Sequence, residues 1–220
     1  MAKSARDSDR QAVLAATRAA EQSKDRRRSR LLVGAVSVVV VGLIAVAGVV
    51  IARESARQGE IAQAAAGPIP GVEQTEDLTA NHVTQPQAPD PTAPTGDLLP
   101  PVGGDHDPVP QNCGIYTEPV ATANAVHSME HGAVWVTYRP GLEEAELQRL
   151  VDLVAGRPYA LLSPFPDQAS PVVLTAWGVQ LELAEAADPR AAAFLEKYVQ
   201  GPQTPEPGAA CSGGVGEPAA

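Results

Sequence analysis

Cysteine, methionine and tryptophan are scarce in this chain, at two residues each among 220, and aromatic residues make up 4% of it. The two cysteines lie far apart, so there is no C-x-x-C redox pair, and the chain holds no Gly-rich phosphate loop and no G-x-S-x-G turn. Charge is missing altogether from Leu31 to Ala52. No cysteine stands near the end of that apolar run either, so a lipid-anchored start is not supported. Beyond it basic residues are few. Seven Lys/Arg there face twenty-two Asp/Glu, a formal charge of −15 that excludes nucleic-acid binding.

What is present begins with that run. Its 22 residues would span roughly 33 Å as a helix at about 1.5 Å per residue, enough to cross a bilayer core. Residues 2–30 carry nine Lys/Arg against four acids, and Arg26, Arg27, Arg28 and Arg30 abut the run. The positive-inside tendency therefore predicts a single-pass cell-membrane protein with a cytoplasmic N-terminus and everything after Ala52 outside. A cleaved signal peptide fits less well, because Ala64-Ala65-Ala66 lies too far from the apolar run to serve as its cleavage site.

The chain divides on this reading into a basic cytoplasmic segment at 1–30, a transmembrane helix at 31–52, a Pro-rich linker at 53–96, an extracytoplasmic domain at 97–214 and a flexible tail at 215–220. Prolines at 68, 70, 86, 89, 91, 94, 100 and 101 make the linker an extended spacer, with His82 as a solvated residue inside it. The domain, starting near Asp97, reads as α+β in the order β-α-β-β-α. Strands are predicted at Ala133 to Tyr138, Tyr159 to Leu162 and Val172 to Trp177, with a continuation at Gln180 to Leu183. Leu147, Leu150, Val151 and Val154 mark one helix face, and Phe194, Leu195, Tyr198 and Val199 another. Trp135, Tyr138, Tyr159, Trp177 and Tyr198 fall on these elements and read as packing residues, not a ligand box. In an exported chain the even pair Cys113 and Cys211 is expected to be bridged, tying the C-terminal tail to the domain.

The polar centre is His127-Ser128-Met129-Glu130-His131, followed at once by Gly132 and the apolar run to Tyr138. Histidines four apart share a side in either a helix or a strand. The third ligand in a metal reading is His106, and the fourth depends on the backbone. A helix brings Glu130 to the imidazole face, a set suited to zinc; an extended chain brings Met129, a set suited to copper. The strand directly after Gly132 favours the extended form. The competing reading is a buried hydrogen-bonded cluster with no metal. His127-x-x-Glu130-His131 also spells the H-x-x-E-H of certain zinc peptidases, but Gly132 interrupts the long helix that motif requires.

Four blocks taken together carry a resemblance. They are Pro100-Pro101-Val102-Gly103-Gly104-Asp105-His106, then His127 to Gly132 with the following strand and Tyr138-Arg139-Pro140, then Ser170 to Gly178, and finally Thr204-Pro205-Glu206-Pro207-Gly208. In this order, over residues of about 97–214, the chain resembles a family of bacterial membrane-anchored proteins known as domain of unknown function 3105. Gly103 stands where that family's pattern has Ser, and Met129 where it has Leu. The resemblance implies no activity. The sequence thus supports a membrane-anchored module binding copper or zinc through His106, His127, His131 and Glu130 or Met129. The alternatives are an envelope scaffold that contacts another protein without metal and, third, a zinc-dependent hydrolase; a non-enzyme is favoured.

Overall fold

The computed structural model describes residues 2–84 and 98–219, so the expected domain start at Asp97 and the prolines at 86, 89, 91 and 94 lie outside the described residues. The chain forms two units, Met1–Arg57 and Gln58–Ala220. Helix α1 runs over Ala2–Ala66, and its Leu32–Ala66 stretch is long and apolar enough to cross a membrane.

The second unit is built on a six-stranded sheet. In chain order its elements are β1 (Val72–Gln74), β2 (Gly114–Ile115), α2 (Thr122–Glu130), β3 (Val134–Tyr138), α3 (Glu144–Val154), β4 (Ala160–Pro164), β5 (Val172–Ala176), β6 (Val179–Leu183) and α4 (Arg190–Tyr198). The strands lie in the order β1-β6-β5-β3-β4-β2. β3 and β4 are parallel and joined through α3, as a crossover requires, whereas β5 returns antiparallel to β3 and forms a hairpin with β6. The expected continuation at Gln180 is thus a separate strand, and the central order is β-α-β-β-β-α.

All five residues of β3 are buried because both faces of the sheet are covered. Val134, Val136 and Tyr138 join Leu150, Val154, Phe194 and Leu195 in the larger core under α3 and α4. Trp135 alternates to the other face, where it packs with Leu161, Phe165, Trp177 and the α2 residues Ala125, Val126 and Met129. Its indole N–H donates to the buried Ser163 hydroxyl at 2.9 Å, so the polar tip is satisfied inside the core. Cys113 and Cys211 form a disulfide with Cα atoms 5.4 Å apart.

Two expectations need correction. The described part of the segment read as a spacer at 53–96 enters the domain: Ile69 is buried in the larger core, β1 pairs with β6, and Leu78 packs against the Trp135 cluster. An edge strand of three residues satisfies one row of β6 backbone groups, which a Pro-rich composition on either side hides from pattern reading. The tail at 215–220 is likewise held through Ala219. Val215 N–H donates to Pro110 C=O at 2.9 Å, and Ala219 N–H to Ile115 C=O at 2.8 Å.

Candidate metal centre

The backbone through the paired histidines is helical, not extended. α2 ends in two backbone bonds typical of a Schellman stop: Gly132 N–H donates to Met129 C=O and Ala133 N–H to Ser128 C=O, each at 2.9 Å. Gly132 takes φ +95°, where a side chain is strained, and a Cβ there would also collide with the Gln200 amide. That reversal lets the helix ending at Glu130 give way to the strand beginning at Val134. Gly132 directly after a four-residue histidine repeat was the local signal for it.

Helical spacing then sorts the side chains. His127, Glu130 and His131, at i, i+3 and i+4, share one face. Met129 turns the other way and is fully buried in the apolar cluster with Trp135, so the expected His/Met set does not form. Ser128 is pinned by its hydroxyl, which donates to Gln111 C=O at 2.6 Å.

His106 reaches the cluster from the Gly103-Gly104 turn and is completely buried. Gly103, at φ +150°, backs onto Trp177, and a Cβ there would lie 3.2 Å from the indole. A side chain at this position would therefore press on the Trp177 indole and Leu78. The fourth histidine is the one the sequence reading set aside as solvated. His82 pairs with His106 in an isolated parallel bridge, through backbone bonds from His106 N–H to Asn81 C=O at 3.0 Å and from Val83 N–H to His106 C=O at 2.8 Å. Its ring stacks on that of His127 with centroids 4.6 Å apart. All four histidines of the chain, brought from three separate segments, thus meet in one place.

Tautomers follow from the partners. The Nδ1 of His106 lies 2.7 Å from Gly104 C=O, that of His127 2.7 Å from Asp107 C=O, and that of His131 2.7 Å from Ala210 C=O. A carbonyl oxygen only accepts, so each Nδ1 donates, and in the neutral form of each ring the lone pair sits on the inward Nε2. Those lone pairs meet other lone pairs. His127 Nε2 lies 2.9 Å from His131 Nε2, and His106 Nε2 lies 3.0 Å from Glu130 Oε2. The same Glu130 oxygen is 3.2 Å from His82 Nε2.

Both acceptor–acceptor contacts are unfavourable without a positive charge to bridge them. A proton on His127 is opposed, because burial holds its pKa below the ordinary imidazole value; the backbone bond to Asp107 pulls the other way, and repulsion from His131, His106 and His82 adds to the lowering. Nδ1 anchored on carbonyls with Nε2 facing inward is the arrangement that orients ligating imidazoles. The ligand atoms of His82, His106, His127 and Glu130 all lie within 4.8 Å of one another. A second residue missing from the sequence reading, Glu206, stands 3.7 Å from His131 Nε2. Its only sequence signal was its place in the Thr204 to Gly208 block.

A family model described as Protein of unknown function (DUF3105) matches residues 95–213. The chain belongs to this family. His106, His127, Glu130, His131 and Glu206 fall inside the matched stretch and His82 outside it. No curated protein and no solved structure matches the chain.

Proposed function

We propose that this DUF3105 protein is a membrane-anchored, extracytoplasmic metal-binding module, with zinc as the ion its ligands fit. The observation that carries the reading is the convergence of the His82, His106, His127 and Glu130 ligand atoms within 4.8 Å, with the His106 and His127 rings anchored through Nδ1. Three imidazoles and one carboxylate make a borderline, closed set suited to tetrahedral zinc, and the removal of Met129 from the set argues against the copper alternative. Bonds of about 2.0–2.1 Å place tetrahedral ligands about 3.3 Å apart. The contacts of 3.0 and 3.2 Å at Glu130 need only a slight opening to accommodate that.

The test is zinc content and zinc affinity of the full-length protein, purified without a histidine tag. His82 is the informative position because its side chain is 43% exposed, so its loss leaves the core intact. His82→Ala is expected to weaken zinc binding at least about tenfold while the metal-free domain stays folded. His106→Ala and His127→Ala are expected to abolish zinc binding at this four-ligand set. Metal-free wild type, together with unfolding of the latter two variants, would support the scaffold reading instead.

Membrane placement rests on the Arg26 to Arg30 cluster beside the apolar run. Leu32, Val38, Leu43, Ile44 and Ile51 of α1 are all exposed, as lipid-facing side chains would be. Protease added to intact cells is expected to remove the domain and leave the basic N-terminal segment protected. A protected domain would reverse the orientation.

A further inference from the structure

Among the described residues, the ligand atoms around Glu130 fall into two sets. His82, His106, His127 and Glu130 form one; Glu130, His131 and Glu206 form the other, each with its ligand atoms within 4.8 Å of one another. Glu130 alone belongs to both. The unfavourable contacts divide the same way. An ion in the first set relieves the His106–Glu130 contact at 3.0 Å and engages His127. It leaves the His131 lone pair, 2.9 Å from His127 Nε2, and the Glu206 carboxylate, 3.7 Å from His131 Nε2, with nothing positive between them.

On the reading that the first set holds zinc, we propose that this is a two-metal centre, in which Glu130 bridges to a second divalent cation held by His131 and Glu206. Both further ligands are already placed. His131 is oriented by its Nδ1–H bond to Ala210 C=O at 2.7 Å, and Glu206 is drawn to the end of α2 by its backbone N–H, which donates to Glu130 C=O at 3.0 Å. A carboxylate shared between two ions about 3.5–4 Å apart is the usual way such pairs are held. Two ions add four positive charges against two carboxylates, an excess that the strongly acidic domain offsets at longer range.

The two positions differ in character. The first draws on three imidazoles and a carboxylate, with only His82 reaching solvent. The second has two carboxylates and one imidazole, and the Glu206 side chain is 53% exposed. Three protein ligands leave one tetrahedral position to an oxygen ligand from solvent. The inner ion is therefore structural in type and the outer ion exchangeable.

Equilibrium dialysis of the untagged full-length chain in detergent against zinc, read by elemental analysis, separates the possibilities. Two equivalents are expected for the wild type, one for Glu206→Ala, and two for Glu196→Ala, a control at an exposed acid on α4. Near-ultraviolet circular dichroism verifies that both variants keep the wild-type fold. One equivalent in the wild type would overturn the two-metal centre while leaving the zinc reading standing, whereas none would overturn both. Two equivalents in Glu206→Ala would remove Glu206 from the site and refute the proposal as stated.

Discussion

Free zinc at a thousandfold excess over its dissociation constant is expected to stabilise the sheet unit by about 4.1 kcal/mol, a rise in melting temperature of roughly 8–16 °C for a unit of this size. The size of the effect follows from where the ligands come from. His82, His106 and the α2 residues are separated by 24 or 48 positions, so the unfolded chain offers little more than the His127/His131 pair. Binding then favours the folded state almost exclusively. Trp135 and Trp177 are the chain's two tryptophans and both belong to this unit, so near-ultraviolet circular dichroism follows its unfolding alone. Trp177 also lies edge-on to His106, with centroids 5.8 Å apart, and its fluorescence should report the site directly.

Glu130→Gln distinguishes a metal centre from a structural ion pair. In the metal-free protein a glutamine amide can donate to the inward lone pair of His106, replacing an acceptor–acceptor contact with a hydrogen bond. The variant is therefore expected to be at least as stable as the wild type without zinc and to lose most of the zinc response. Were Glu130 instead one half of a buried pair with a protonated His106, the same substitution would destabilise the metal-free domain, and zinc would shift neither protein.

Opening the Cys113–Cys211 disulfide is expected to destabilise the domain by up to about 4.7 kcal/mol, the chain-entropy value for a loop of about a hundred residues, the two cysteines being 98 positions apart. Thermal unfolding of the Cys113→Ser/Cys211→Ser double variant measures it, and an unchanged melting temperature would contradict it. The tail that the disulfide holds also serves the metal centre. Residues 206 to 211 supply the Glu206 carboxylate and the Ala210 carbonyl that orients His131. Tyr159 O–H donates to Ala209 C=O at 2.9 Å, and Cys113 N–H to Cys211 C=O at 2.9 Å, so part of the tail's anchorage survives reduction. Zinc affinity should accordingly fall in the double variant, and less completely than in a ligand variant.

The sequence by itself determined what depends on neighbours along the chain. Alternation and three-four spacing located β3, α3, β4, β5, β6 and α4, because burial on one face imposes a local period. The uncharged run marked the apolar part of α1, and the two cysteines marked the disulfide. The nearness of His127 and His131 was legible without knowing the backbone, since a spacing of four serves both helix and strand. Only the tertiary structure decided which residue joins that pair. The segment stays helical up to the stop at Gly132, which turns Glu130 toward the imidazoles and Met129 into the core. His82 and Glu206 carried no periodic signal; they reach Glu130 because β1 docks on β6 at one edge and the disulfide pins the tail at the other. Such convergence depends on the docking of segments dozens of residues apart, and local pattern carries information about little beyond the next turn.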